Sequence, residues 1–419
     1  MKVLVVGSGG REHAIVWKLA QSTLVDKIYA LPGNGGMKEL AECVPISDMG
    51  GIIKFANNVD LVIVGPEILL AEGLINELPK NKGFGPTKEA ATIESDKSYA
   101  KELIRKVGIP TADFNVFTTL ESATTFIDRA TYPIVIKASG LAAGKGVFII
   151  KNISDAIEVL NKIMTERIFG DSGNRIIIEE YLGGEEVSVI AFTDGKDFIP
   201  LLPCQDHKKL LDKDKGPNTG GMGAYTPAVL TSAEVGKVIE NIFAPCVWGI
   251  RKEGIVYKGV LYAGLIITSD GLKVLEFNCR FGDPETQPVI KLLESDLIEP
   301  ILAVIEGNLK SVSLKWHPGY ATCVVLASDG YPDKYEKGKE ITGLEKVQEA
   351  TVFHAGTKKE KDKIITSGGR VLGVTGIGKT LKDSIDITYN EVSKIHFDKM
   401  YYRKDIGSKN AKFQNPNVK

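Results

Sequence analysis

No charge of one sign dominates this sequence: Lys and Arg total 52 against 53 for Asp and Glu, a formal net charge of −1. The bulk positive field of a nucleic-acid binder is therefore missing. Cysteine is scarce: Cys43, Cys204, Cys246, Cys279 and Cys323 are scattered, odd in number and form no C-x-x-C pair. That argues against a disulfide framework and a zinc site, and for a reducing compartment. No apolar run approaches the ~18 residues of a membrane span. No basic leader precedes the first strand pattern at 2–6, so no targeting segment is read there. Internal repeats, low-complexity tracts and heptads are also missing. The expectation is a soluble cytoplasmic protein acting on small molecules without nucleic acid or membrane. With no amphipathic seam for an obligate partner, it is expected to be a monomer. What the chain does have is 419 residues, 43% of them apolar, enough for roughly three domains with their own cores.

Residues 1–86 alternate strand and helix patterns in the βαβ manner. Strands at 2–6, 27–31 and 60–64 each end in a turn rich in Gly or Pro, and Gly83-Phe84-Gly85-Pro86 closes a short fourth. Such turns gather at the carboxyl edge of a parallel sheet, where open α/β sheets bind ligands. The Gly7-x-Gly9 start is that of a dinucleotide fingerprint, but its third glycine falls on Glu12 and no acid follows the second strand. The dinucleotide reading fails on both counts. Free amides at the start of the helix near Gly9 and Gly10 could still take a phosphate monoester. His13 on that helix reads as a packed or capping residue.

From Ser95 the pattern changes. Ser95-Asp96-Lys97 opens a helix that Gly108-Ile109-Pro110 stops. The apolar strand 133–137 ends in Lys137, and a glycine-rich stretch through Gly140, Gly144, Lys145 and Gly146 leads into a second strand at 147–151. A Walker A loop needs four residues between its glycines, Ser or Thr after the lysine, and a helix to follow; none of these holds here. A glycine-rich hairpin can instead lie over a nucleotide, with its amides and Lys145 facing the phosphates. Lys137 adds a second point charge. Further on, Glu179-Glu180-Tyr181-Leu182 ends a strand before a Gly-Gly turn. Backbone near Tyr181 and Leu182 could read an adenine, and Glu186 the ribose.

The first half of the stretch 272–287, LKVLEFNCRFGDPETQ, alternates like a half-buried strand, and a loop follows from Phe281. Leu275, Phe277 and Cys279 should share one face, leaving Glu276, Asn278 and Arg280 on the other. Glu276 and Asn278 are hard oxygen ligands suited to Mg²⁺ or Mn²⁺, and Arg280 could fork onto a carboxylate or phosphate. The run 205–225 is so polar and glycine-rich that it reads as one long functional loop with no core element.

A lysine-bearing hairpin flap, a strand-end lysine, a hinge with a downstream Glu and a later E-x-N strand, in that order, resemble the ATP-grasp superfamily. VVGSGGREHA, KASGLAAGKGV, DHK, GPNTGGMGAY, EFNCRFGDPETQ, HAGT (354–357) and YRKDIG (402–407) narrow the resemblance. From residue 1 to about 407 the chain is similar to the phosphoribosylamine–glycine ligase family.

That resemblance implies a Rossmann-like parallel sheet over 1–100, an ATP-grasp fold over 101–318 with a lid at about 121–188, and a small C-terminal domain over 319–419. It implies ATP-dependent joining of glycine to 5-phosphoribosylamine through glycyl phosphate, with Mg²⁺ or Mn²⁺ on Glu276 and Asn278. ATP contacts would come from Lys97, Lys137, Gly144, Lys145, Gly146, Glu179, Tyr181, Leu182 and Glu186. Substrate contacts would come from Gly9, Gly10, Pro66, Glu67, His207, Lys208, Asn218, Gly220, Gly221, Arg280 and Asp283. Arg280, Lys145 and Asp206 would be catalytic. Another ATP-grasp carboxylate–amine ligase, or a nucleotide sensor without turnover, are the alternatives. Ser139 stands where the family usually carries Asp, so that position is given no metal or phosphate role. His354 and His396 read equally well as substrate contacts or structural residues, and 408–419 is expected to be disordered.

Overall fold

Apolar runs bounded by glycine and proline become the strands of the first sheet. In the computed structural model, which describes residues 1–142 and 144–411, β1 (Lys2–Gly7), β2 (Lys27–Pro32), β3 (Glu42–Cys43), β4 (Leu61–Val64) and β5 (Gly83–Phe84) pair in parallel in the order β3-β2-β1-β4-β5. Val3, Leu4 and Val5 are fully buried, as helices on both faces of a parallel sheet require. The strand order reverses between β1 and β4, so the turns after these two strands face one crevice. The two-residue β3 escaped the sequence reading because it is too short to show a period.

The helix Lys97–Val107 starts where Asp96 accepts the amides of Ser98 and Tyr99, and ends at Gly108 with φ 73°. Beyond it, β6 (Phe114–Phe117), β7 (Ile134–Ala138), β8 (Val147–Ile150) and β9 (Ile176–Glu180) form an antiparallel sheet ordered β6-β9-β7-β8. Ile136, Ile176 and Ile178 pack beneath it against Ala123, Ile127 and Leu160 in a core separate from the others. A second antiparallel sheet, β11-β10-β16-β17, consists of β10 (Glu185–Thr193), β11 (Phe198–Pro200), β16 (Gly259–Thr268) and β17 (Gly271–Asn278). The segment leading into β6 meets β17 through a parallel bridge between Thr111 and Val274.

Strict alternation along β17 does not hold. Gly264 pairs with Glu276 and Leu265 with Val274, so Leu275 is an extra residue in a bulge. Val274, Phe277 and Cys279 therefore share the core, while Leu275 turns to the cleft beside Glu276.

The run 205–225 also departs from expectation. It contains β12 (Gln205–Asp206), the hairpin of β13 (Lys209–Leu211) and β14 (Lys215–Asn218), and β15 (Gly223–Thr226). β15 pairs with β18 (Tyr320–Ser328), which also pairs with β22 (Arg370–Gly378). With β19 (Ala350–His354) and β23 (Met400–Tyr401), these make a six-stranded sheet; β20 (Thr357–Glu360) and β21 (Lys363–Thr366) form a side hairpin. The partner of β15 lies about a hundred residues on, so local polarity misled the loop reading while Met222, Ala224 and Tyr225 are fully buried. At the other end, Ser408–Ala411 is a short helix rather than disordered. Asn410 there donates to Tyr225 at 2.7 Å. Residues 412–419 lie outside the described residues.

Candidate functional site

One cleft of about 1820 Å³ runs between the N-terminal sheet, the two central sheets and the C-terminal sheet. Every site residue expected from sequence lines it except Gly10 and Gly221. Gly10 is buried against Gln287, whose Nε2 would lie 2.6 Å from an added Cβ, and Gly221 packs on Asp206 and Pro284. His354 and His396 are not among its lining residues.

Five lysines converge on this cleft from four parts of the chain. Lys137, at the end of β7, pairs with Glu179 at 2.9 Å, and Lys101 meets the other oxygen of that carboxylate at 3.2 Å. Glu179 thus anchors cations, with 3% of its surface exposed. Lys97 donates to the Gly140 carbonyl at 2.9 Å, which ties the start of its helix to the glycine-rich turn. Lys145 donates to the Pro332 carbonyl at 2.6 Å. Lys208 lies between Glu276 (3.3 Å) and Glu186 (3.4 Å). Glu186 and Tyr181 are largely exposed at the cleft rim.

Glu276 is held ionised. Lys208 first, then Lys137 and Lys97, outweigh burial and bring its carboxyl down to about 2. Asn278 presents its side-chain oxygen beside it, accepting from Arg280 at 3.3 Å. Among the described residues no group of three or more His, Cys, Asp or Glu could hold a metal ion. The Glu276 and Asn278 oxygens could hold a hard cation if its other ligands came from phosphates and water.

Arg280 is not a free fork. Its Nε donates to Glu67 at 2.9 Å and its Nη2 pairs with Glu94 at 2.9 Å. Burial alone would raise the Glu67 carboxyl, but Arg280 and Arg11 bring it down to about 2. The guanidinium is thereby fixed in orientation before any ligand arrives.

The N-terminal turn differs most from expectation. The Gly9 amide donates to Glu12 Oε2 at 2.6 Å, and Arg11 pairs with Oε1 at 2.5 Å. A Cβ on Gly7 would lie 2.5 Å from Glu12 Cγ, and one on Gly9 2.7 Å from Oε2. The residue that breaks the dinucleotide fingerprint thus fills the turn that the fingerprint would offer a phosphate. His207 is similarly occupied. Its Nδ1 donates to the Gly223 carbonyl at 3.3 Å and its Nε2 accepts the Gly407 amide at 3.2 Å. Burial, then Arg403, lowers its proton affinity to about 4, consistent with a neutral ring bridging two backbones. Asp206 is different: its Oδ1 is buried without a hydrogen-bond partner. Burial and Glu285 push its carboxyl well up, against Lys208 and Arg370.

Three family models match successive parts of the chain: the phosphoribosylglycinamide synthetase N domain over 1–94, its ATP-grasp (A) domain over 95–286 and its C domain over 321–409. The chain belongs to the phosphoribosylglycinamide synthetase family. It is 51% identical to the phosphoribosylamine–glycine ligase of Caldanaerobacter subterraneus, over 97% of this chain and 100% of that one. With the ligase of Halalkalibacterium halodurans it shares 46% identity over 98% of this chain and 97% of the other. The crystal structure of the Thermotoga maritima phosphoribosylamine–glycine ligase matches at a TM-score of 0.87 and 36% identity, covering 97% and 100% of the two chains.

Within this synthetase fold, Ser139 has a local account. Its hydroxyl donates to Asp96 at 2.7 Å and lies 2.9 Å from that of Ser98, so it helps cap the helix that carries Lys97. Sequence reasoning missed Arg11, Glu94, Tyr331 and Arg370, all of which line the cleft. Arg11 donates to the Phe281 carbonyl and Glu94 accepts the Cys279 amide across 270 and 185 residues, beyond any periodic signal. Arg370 had a cue: it follows Gly368-Gly369 at a strand start, where glycines make room for a close approach.

Proposed function

We propose that this chain joins glycine to 5-phosphoribosylamine with ATP as phosphoryl donor. Hydroxide is too poor a leaving group for an amine to displace it from a carboxylate. A glycine carboxylate oxygen therefore attacks the γ-phosphorus, the bond to the β–γ bridging oxygen breaks, and ADP leaves. The amine nitrogen of phosphoribosylamine then attacks the acyl carbon of glycyl phosphate. The C–N bond forms, the C–O bond to phosphate breaks, and the nitrogen gives up a proton.

Phosphoryl transfer asks a protein for alignment and charge neutralisation more than for a nucleophile. Lys97, Lys137 and Lys145 supply cations along the triphosphate, and Tyr181, Leu182 and Glu186 border the nucleoside end. Glu276 and Asn278 would hold Mg²⁺ or Mn²⁺, which when bound neutralises charge on the β- and γ-phosphates. Arg280, fixed by Glu67 and Glu94, faces the carboxylate being phosphorylated. Lys208, Asn218, Gly220 and Asp283 border the acceptor side. An acyl phosphate hydrolyses readily, so a cleft walled on several sides serves to exclude water.

The observation that most supports this reading is the meeting of Glu276, Asn278 and Arg280 with Lys97, Lys137, Lys145 and Lys208 in one cleft. The test is ADP formation from ATP with glycine and phosphoribosylamine added singly and together. The expected result is turnover that requires both; turnover with another carboxylate and amine but not this pair would replace the assignment. Nucleotide binding without turnover would make the chain a sensor.

A further inference from the structure

Two side chains, one at the start of β22 and one in the turn after β18, reach into the acceptor side of the cleft. Arg370, the first residue of β22, donates through Nη1 to the carbonyls of Gly220 at 2.5 Å, Asp283 at 2.8 Å and Gly221 at 3.3 Å. Its Nη2 donates to Asp283 Oδ2 at 3.0 Å. The Tyr331 hydroxyl accepts the Gly220 amide at 2.9 Å. The neighbouring Pro332 carbonyl accepts from Lys145. Three segments far apart in sequence, the glycine-rich flap, the 218–221 loop and the 281–284 turn, are thus held by one small region.

The fit leaves no slack at Gly220, where an added Cβ would lie 3.0 Å from Arg370 Cζ and 3.2 Å from the Tyr331 hydroxyl. Nη1 alone bridges the two loops and Nη2 adds the Asp283 carboxylate; the single nitrogen of a lysine lacks the second arm of that fork. We propose that Arg370 is a positioning residue for the ligation: it sets the spacing of the 218–221 loop against the Asp283 turn, between which the acceptor substrates lie. Tyr331 fixes Gly220 within the same arrangement, and the Pro332 carbonyl relates Lys145 to it. Arg370 acts through these loops and not on the reacting atoms. The inference rests on the ligase reading above and adds to it the group that orders its acceptor side.

The test uses the full chain with Arg370→Met, Arg370→Lys, Tyr331→Phe and the Arg370→Met/Tyr331→Phe pair. Calorimetry measures ATP affinity, and steady-state kinetics measure kcat and the KM for glycine and for phosphoribosylamine. Misplacement by about 1 Å costs on the order of a hundredfold. Arg370→Met should therefore lose on the order of a hundredfold in kcat/KM for glycine while ATP affinity stays within about twofold. Arg370→Lys should recover only part of that loss, and Tyr331→Phe should lose about threefold. The double variant should lose no more than Arg370→Met alone, because both changes release Gly220. Equal losses for ATP and glycine, wild-type constants in Arg370→Lys, or additive losses in the double variant would each overturn the inference. If Arg370→Met does not fold, the same split in Arg370→Lys and Tyr331→Phe decides. An inactive wild type would overturn the ligase reading itself; an active wild type with unaltered variants would overturn only this inference.

Discussion

Two glycine-rich turns face the same cleft and do opposite things. The turn after β1 is sealed by the chain itself: Glu12 takes the Gly9 amide and lies where Cβ atoms on Gly7 and Gly9 would be. The turn after β7 carries Lys145, holds no acid of its own, and is fastened by Lys97 on the Gly140 carbonyl, by Ser172, which accepts the Gly140 amide and donates to the Leu141 carbonyl, and by Lys145 on the Pro332 carbonyl. Both stretches look alike as composition. Glycine records that something comes close; the charge beside it tells what. An acid one turn into the helix supplies its own anion, whereas a lysine in the turn offers a cation to one from outside.

Removing the seal should give the largest effect. Glu12→Ala leaves Arg11, 6% exposed, with Glu67 as its remaining carboxylate at 3.9 Å. Breaking a buried pair from one side costs about 3 kcal/mol, which denaturant unfolding of the chain would register. A loss below about 1 kcal/mol would mean that Glu12 is dispensable and that the two turns differ less than described. On the open side, Glu276→Gln removes a carboxylate held at about 2 by Lys208, Lys137 and Lys97. Turnover should fall on the order of 10² with little change in unfolding. Unchanged kcat at saturating Mg²⁺ would remove Glu276 from the metal site.

How much of this was legible in sequence follows from how local each signal is. The apolar 133–137 stretch, the Asp96 cap and Gly108 stop are local; the strand forms one residue on, over Ile134–Ala138, and the helix starts and stops where the residues indicate. The Glu276, Asn278 and Arg280 face was also readable, since three polar groups at period two need a common partner. The bulge at Leu275 was not, because it depends on how β17 pairs with β16. The same limit hid the strands within 205–225, whose pairing partner is β18. Arg280 could be seen as a fork, but its occupation by Glu67 and Glu94 could not. Contacts that close over two hundred residues leave no pattern in a single chain.

A milder way to sharpen the comparison is Lys145→Ala. The side chain's hydrogen bond goes to a backbone carbonyl in a turn, so the unfolding midpoint should hold. The kcat/KM for ATP should fall about tenfold or more, read from ADP formation at limiting nucleotide. Native kcat/KM would show that the open turn does not serve the phosphates.

The smallest effect comes from a third glycine turn, sealed by neutral rings and not by a carboxylate. An added Cβ on Gly36 would lie 2.7 Å from the His13 ring, and His13 Nδ1 accepts the His354 amide at 2.8 Å. Burial, then the charge of His354, lowers the His13 proton affinity from 6.5 to about 3; burial lowers that of His354 to about 4. The folded pKa values are depressed, so between about 4 and 6.5 the unfolded chain binds protons that the folded one refuses. Stability is full above 6.5 and falls as pH drops toward the folded values, by about 0.8 kcal/mol per histidine at roughly pH 6. His13→Asn keeps an acceptor for the His354 amide but cannot titrate. Its stability at neutral pH should be close to wild type, and its decline on acidification shallower by about one proton. Denaturant midpoints taken across this pH range for both proteins would show it; parallel declines would mean that the histidine seal carries no proton linkage and that only the carboxylate seal is electrostatic.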